Sequence, residues 1–392
     1  MSKDFEDEED FEELYGPWEP SLYNAVMANE RHFAMLVGGP RWDDPYTIIL
    51  KRDTVDRTFS RSDVRRELTG IEVMPDANRS PDDEPSYVAL SISGDIYIFH
   101  PEITEHFIIP GTKAESEDNP DILFFTITPM GDQFLVAGTQ GWLKLGHDKT
   151  WQDVAPKIDV PDPYSPPEYR IIGVDQEDNL FLEVKVTPSM ASFNLYPGHP
   201  LYRDDMSDDE KESLQKKLDE EYETYPVLTK LYTGKPGNWK KHDLPDRIAE
   251  VKQDSASLSN VCRDKQGFYY VLGDKGLIMK GSAATGFSDI SFAGDRNTRI
   301  SFGEFLGDRM IVTTHDGVSQ FDGHMLSPFV PKIKVNSPPY LVQTSNLQIE
   351  GGKAYLFDYQ LRYFWTDGAT WGQYDIPKEL SERPFKGNPP RK

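Results

Sequence analysis

One pattern recurs seven times along this chain and restricts its fold more than any other feature. An apolar strand is followed by a turn and a second, more strongly apolar strand. A Gly- or Asp-containing turn then leads to a third strand ending in polar residues and a fourth often opened by Trp. The clearest copy, ILFFTITPMG, DQFLVAGT, GWLKLGHD and TWQDVAP, occupies residues 122–156, and others occupy 260–293, 300–333 and 345–377. Three looser copies keep the same order near the start, from Gly70, and from Tyr169. The second strands begin near His32, Ser86, Gln133, Leu180, Phe268, Arg309 and Lys353. The unit therefore returns every 41 to 54 residues once an interruption of about 40 residues in the fourth copy is set aside. That is the period of a four-stranded propeller blade.

The residue types agree with the period. Runs such as FLVAG, YYVLG, MIVTT and AYLFD are bounded by Gly, Asp, Asn or Pro and are apolar on both faces, as suits a strand sandwiched between neighbouring sheets. The fourth strands, WQDVAP and FSDISF among them, alternate and suit an outer strand half in water. No isolated four-stranded sheet hides both of its faces, so the units must close into a ring. The expected fold is all-β: a single seven-bladed propeller over residues 21–379, with an acidic segment at 1–20 and a Pro-rich basic tail at 380–392. Phe11, Leu14, Tyr15 and Trp18 are candidates to pin the first segment across the seam between first and last blades.

Residues 187–226 interrupt the fourth unit between its second and third strands. Their first half is rich in Pro and Tyr and reads as an ordered loop. The second half, SDDEKESLQKKLDEEYETY, predicts a helix near 208–223 with Ser207 as N-cap, Glu210 completing a capping box, and Leu214, Leu218 and Tyr222 on one face. That stripe docks either on the propeller itself or on a partner.

Composition removes several function classes. With 66 Asp+Glu against 42 Lys+Arg, the net charge is −24, and phosphates or anionic membranes are repelled by such a surface. A single cysteine, Cys262, allows no internal disulfide or multi-thiolate metal site and fits a reducing cytosol. No apolar run is long enough for a membrane span, and MSKDFEDEEDFEEL lacks the features of a secretory signal, so a cytoplasmic protein is expected.

The turns VLGDKGLIMKGS and VAGTQGWLKLGHDKTW resemble those of BNR and YCF48-like propellers, in which a Gly-rich turn precedes an apolar strand and a Trp. Thr366-Asp367-Gly368-Ala369-Thr370-Trp371 and His147-Asp148-Lys149-Thr150-Trp151 resemble a degenerate, shortened Asp-box, the second without its Gly. In that superfamily the box is a structural turn, so the resemblance implies architecture and no chemistry. Among bacterial propellers of this appearance it implies an immunity-type role against a cognate toxin.

In a propeller, connections from second to third strand and from fourth strand to the next blade share one face. Here these are the long ones: 39–45, 111–120, 157–167, 336–339 and the 187–226 insertion. They carry Asp43, Asp44, Glu115, Glu117, Asp118, Asp159, Asp162, Glu168, Asp204 and Asp205, interleaved with Trp42, Tyr164 and Tyr202. Long loops on a rigid scaffold are the usual seat of function. These residues are therefore the candidate contacts for a basic protein partner, bound by a monomeric chain, with the aromatics as anchors.

Catalytic signatures are scarce. The chain lacks a phosphate loop, a GxSxG elbow and an HExxH pair, and its eight histidines are scattered. His100, Glu102, Glu105 and His106 form the densest cluster, on a strand–turn–strand without a third ligand nearby. Asp175, Glu177 and Asn179 resemble the start of a calcium loop but lack its Gly and twelfth-position acid, which points to a β-turn. No catalytic residue, metal or cofactor is expected. The two functions left open are a non-enzymatic protein-binding propeller, of immunity or inhibitor type, and a propeller enzyme acting on a glycan or small molecule. An assembly-factor scaffold is a variant of the first.

Overall fold

The computed structural model describes residues 20–38, 45–76, 79–116, 119–197, 199–203, 205–252, 256–292, 294, 297–329 and 344–382. Seven antiparallel sheets follow one another along the chain. They are β1–β4 (Ser21–Met27, His32–Gly38, Thr47–Asp53, Thr58–Val64), β5–β8 (Leu68–Val73, Tyr87–Ser91, Asp95–Phe99, Thr104–Ile108) and β9–β12 (Phe124–Met130, Gln133–Gly138, Leu143–His147, Thr150–Asp153). The fourth, β13–β16 (Glu168–Val174, Leu180–Val186, Pro226–Lys235, Asn238–His242), gains a fifth strand, β17 (Glu250–Lys252), on the exposed start of β15. The last three are β18–β21 (Leu258–Arg263, Tyr269–Gly273, Leu277–Ser282, Gly286–Asp289), β22–β25 (Ile300–Leu306, Arg309–Thr314, Gly317–Phe321, Leu326–Pro328) and β26–β29 (Thr344–Glu350, Lys353–Asp358, Arg362–Thr366, Trp371–Asp375). The first strands contact one another in a closed circuit, β1, β5, β9, β13, β18, β22, β26 and back to β1, so they line the axis of a seven-bladed propeller.

The core is not one cluster but seven, one at each interface between blades. The second strands explain why. In β2 every residue is buried, and successive side chains serve different interfaces: Phe33, Met35 and Val37 pack toward the seventh blade, Ala34 and Leu36 toward the second. In β10, Phe134 and Val136 face the second blade while Leu135 and Ala137 face the fourth. β27 does the same with Ala354 and Leu356 against Tyr355 and Phe357. The period-2 geometry of a strand thus converts a continuous apolar run into two half-cores. Fourth strands such as β8 and β12 are mostly exposed, as the alternating sequence predicts.

Every first strand carries a register shift. It falls at Tyr23, Thr69, Phe125, Ile172, Ser259, Ser301 and Ser345. A bulge bends its strand and re-aims the neighbouring side chains. In alternate blades the residue after the bulge uses a polar side chain to bridge to the next first strand. Asn24 donates to Thr69 O (3.4 Å), Thr126 Oγ1 accepts from Ile171 N–H (3.1 Å), Asn260 Oδ1 accepts from Gly303 N–H (3.1 Å), and Asn346 donates to Ala25 O. In the fourth blade this position is Gly173, where a Cβ would come to 2.8 Å of Val261 Cβ, so glycine is required by the approach of the neighbouring blade.

The seam between the last and first blades shares no strand. Asn346 is joined there by Gln348, whose amide accepts from Met27 N–H at 2.7 Å and donates to Ala25 O at 3.1 Å. Phe33 packs edge-on against Tyr363 and Phe357, with ring centroids 5.1 and 5.4 Å away. The N-terminal aromatics expected at this seam lie outside the described residues.

The insertion folds on itself. Helix α1 (Asp208–Tyr222) starts at Ser207, whose hydroxyl accepts from Glu210 N–H (3.3 Å) while Glu210 accepts from Ser207 N–H (2.8 Å). Leu218 is buried. Gln215 accepts from Leu195 N–H and donates to Phe193 O, and Phe193 packs on Tyr222 and Tyr225. The apolar stripe is thus spent on the loop that precedes the helix. Two single-turn helices, α2 (Asp246–Ala249) and α3 (Lys378–Ser381), and a 3-10 turn at Met190–Ser192 complete the described secondary structure.

Two predictions follow from closure and from the axis. Asn346→Ala and Gln348→Ala each leave the Ala25 carbonyl short of a donor and should cost about 1–3 kcal/mol, read as a lower urea midpoint at unchanged slope. On the first strand β22, half-buried Glu304 is pushed up to about 7 by burial, against a backbone N–H hydrogen bond. Its native form holds a proton that the unfolded chain has released above its ordinary carboxyl range, so its contribution falls as pH rises from about 4.5 toward 7. Glu304→Gln should therefore raise stability near pH 7.5 on the order of 1 kcal/mol and leave it little changed near pH 4.5, as pH-resolved urea melts will show.

Candidate functional site

First strands start on the face that bears the long connections, so the residues on either side of their bulges surround the axial opening there. Tyr23 of β1, Leu68 and Thr69 of β5, Phe125 of β9, and Glu168, Tyr169 and Arg170 of β13 line a recess of ≈ 390 Å³, closed at the side by Glu67, Glu183 and Lys185. Threonine 47 organises one wall. Its hydroxyl meets Tyr23 OH at 3.0 Å, donates to Arg66 O at 2.9 Å and accepts from Leu68 N–H at 3.2 Å, tying the first two blades together. Desolvation holds the Tyr23 phenol well above its usual range, so it stays protonated.

Three carboxyl groups share this recess and burial raises the titration of each. For Glu67 burial acts alone, and for Glu168 the Lys185 ammonium opposes it. Glu183 is 3% exposed; burial raises it against Lys185, Arg170 and a 2.6 Å hydrogen bond from Leu258 N–H. Lys185 itself donates to Ser257 Oγ at 2.5 Å, which fixes it between the fourth and fifth blades. The recess therefore holds more carboxylate than cation, in surroundings where an uncompensated negative charge is costly. An ammonium or guanidinium entering it would relieve that cost.

Around the mouth, Asp159 and Asp162 are exposed on the connection between β12 and β13, and Asp205 is exposed beyond the insertion loop. Glu115 is exposed as well, and its carboxylate accepts from Gly111 N–H at 2.7 Å. Tyr164 donates its hydroxyl to Pro226 O at 2.9 Å and stands edge-on to Tyr225, so it clasps the root of the insertion. Tyr202 is half-buried, with the Lys211 ammonium 5.6 Å from its ring centroid. Trp42, Asp43, Asp44, Glu117, Asp118 and Asp204 lie outside the described residues. Among the described residues, Glu168 is the one acid of the sequence-derived set that lines the recess. Tyr23, Glu67, Arg170, Glu183 and Lys185 were not among the expected site residues. The available signal was the Glu and Lys inside LFLEVKV, because a charged residue in an otherwise apolar inner strand requires a reason.

The turns on the opposite face behave as structure. Asp367 Oδ1 accepts from Ala369 and Thr370 N–H, both at 2.8 Å, with Gly368 at a φ of +90°. Asp322 and Asp53 repeat this arrangement in the sixth and first blades, where the sequence shows no box. Asp175 Oδ1 accepts from Glu177 and Asn179 N–H, so it closes a β-turn. His106 Nε2 lies 3.0 Å from Asp95 and stacks on Tyr97, and His100 Nε2 lies 3.3 Å from Glu105. Among the described residues no three His, Cys, Asp or Glu side chains converge as metal ligands would. Cys262 is 3% exposed with its thiol raised by burial, its sulfur 3.8 Å from Met310 Sδ. One connection on this face departs from the short turns expected of it: β5 and β6 are joined by a 13-residue acidic loop, residues 74–86.

No family model and no curated protein sequence matches the chain. Among solved structures it is similar to the β-propeller domain of the Trilobed protease from Pyrococcus furiosus. That match has 9% identity and a TM-score of 0.47, covering 91% of this chain and 95% of the other. It is also similar to the computationally designed Ika8 protein (10%, 0.43, covering 91% and 96%) and to YCF48 bound to D1 peptide (10%, 0.41, covering 74% and 78%). At these identities the likeness is one of architecture.

Proposed function

We propose that this chain is a non-enzymatic, protein-binding propeller whose long-loop face receives a basic partner, with a lysine or arginine of that partner seated in the recess at the axial opening. The observation that carries the proposal is the trio Glu67, Glu168 and Glu183, all raised by burial and outnumbering Arg170 and Lys185. A cation there meets carboxylates already stripped of much of their water, and such charge-assisted contacts are the strong ones. The acids outside the recess, on a chain of net charge −24, add long-range attraction and a faster approach. An immunity-type inhibitor of a basic toxin domain is the specific form of this proposal. Co-expression with toxin domains encoded beside the gene tests it, rescue of growth being the supporting outcome.

A second function, cleavage of a glycan, is favoured by one feature of the same recess: carboxyls whose titration burial raises, set beside a tyrosine, are the raw material of a general acid. Release of reducing sugar from a polysaccharide panel, lost in Glu67→Gln or Glu168→Gln, would establish it in place of the binding role.

For the binding role, surface plasmon resonance against the captured partner should show an association rate falling steeply between 50 and 300 mM salt. Asp159→Lys with Asp162→Lys should slow association with little change in dissociation. Glu168→Lys, inside the recess, should instead speed dissociation and cost on the order of 2 kcal/mol or more. Unchanged kinetics in both variants would place the interface elsewhere.

A further inference from the structure

The opposite face contains a site of the reverse electrical character. Between the first and seventh blades a groove of ≈ 500 Å³ is lined by Arg52, Arg57, Lys353, Glu30 and the rings of Tyr363, Trp365 and Tyr374, with Arg31 and Tyr355 at its edge. Two of its cations are satisfied: Arg31 pairs with Asp53, Asp56 and Asp82, and Lys353 with Glu30 at 3.0 Å. Arg52 and Arg57 have no carboxylate partner among the described residues. Arg61, Arg66 and Arg362, by contrast, each hold an aspartate.

Arg52 is the more telling of the two. It projects from β3 and is 4% exposed. Its guanidinium lies 4.4 Å from the Phe59 ring centroid and 4.7 Å from that of Tyr374, and Nη1 donates to Thr58 O at 3.3 Å. The phenol of Tyr363 faces it. Nε is buried and has no acceptor among the described residues. Two neighbouring rings offset part of the cost of burying this charge, and a planar fork fixed against them is preorganised to grip a planar or tetrahedral anion. Leaving a buried charge uncompensated is strongly destabilising. Such an arrangement calls for a ligand that supplies the charge. Arg57 stands at the rim, exposed and held at a φ of +59°, where it adds a second cation without burying it.

We infer that this groove binds an anionic ligand carried on a ring, its carboxylate or phosphate on Arg52 and Arg57 and its ring against Trp365 and the neighbouring tyrosines. The site is separate from the acidic recess, lies on the other face, and does not depend on the function proposed for that recess.

Isothermal calorimetry of the full chain with phenyl phosphate, benzoate and inorganic phosphate tests the inference. Phenyl phosphate or benzoate should bind saturably at millimolar concentration or below, and at least threefold more tightly than inorganic phosphate. A preference for the first assigns a phosphoryl ligand, and for the second a carboxylate. Arg52→Gln should weaken that binding tenfold or more while circular dichroism remains that of the folded chain. Arg57→Ser, an exposed position, should weaken it about threefold. Absence of saturable binding by the unaltered protein overturns the inference. So does unchanged affinity in folded Arg52→Gln, or in Arg57→Ser should Arg52→Gln not fold.

Discussion

Each blade of this protein is apolar on two faces, and everything else depends on the ring closing so that neither face meets water. Seven separate apolar clusters, one per interface, replace the single core of a layered domain. Among the described residues every blade is built from one contiguous stretch of chain. Closure then rests on the seventh interface being as good as the other six. The Asn346 and Gln348 amides give the first blade's backbone, at Ala25 and Met27, the bridge that Asn24, Thr126 and Asn260 give elsewhere, and Phe33, Phe357 and Tyr363 fill the apolar share. The seam is an ordinary interface joined by non-covalent means.

Closure also creates the recess. First strands crowded round an axis leave no room for straight edges, and each is bent by a bulge near the point where it enters the ring. At the long-loop end the bulged residues Tyr23, Thr69 and Phe125 become lining, together with the charged residues that flank the fourth blade's first two strands. The fourth blade differs twice. Its bulge lies further along, at Ile172, and its second strand carries Glu183 and Lys185 inside an otherwise apolar run. It is also the blade that holds the insertion. The acidic recess and the insertion are thus two consequences of one divergent blade.

Much of this was legible beforehand, for identifiable reasons. Blade count and strand order were readable because strands buried on both faces leave unbroken apolar runs at a fixed period. Helix α1 was readable because capping is local: Ser207 and Glu210 need only each other. The Asp-box turn at Asp367 was visible through its following Gly and Trp, while Asp53 and Asp322 make the same hydrogen bonds with no Trp after them. Tertiary approach was not legible. Nothing local tells that Tyr164, a candidate anchor, donates to Pro226 across 62 residues, or that Glu183 accepts from Leu258 across 75. Arg52 sits in IILKRD, where its neighbours suggest an exposed strand end, and only the packing of β4 and β29 buries it against the rings of Phe59 and Tyr374.

The charge pattern is the last step. Stability in this fold resides in the interfaces between second strands, about midway between axis and rim and away from both mouths. Groups at the mouths therefore carry unfavourable desolvation without threatening the ring, since each interface is secured separately. That separation permits carboxyls raised by burial at one mouth and, across the blade, an arginine with no acid beside it in a chain with 24 surplus negative charges. If net charge alone shaped the surface, an unpaired cation would be the first residue neutralised by one of the many acids. Arg31, one turn away, has three acids around it. Arg52 pairs with none among the described residues, and the two rings beside it leave the groove side to an anion from outside the chain.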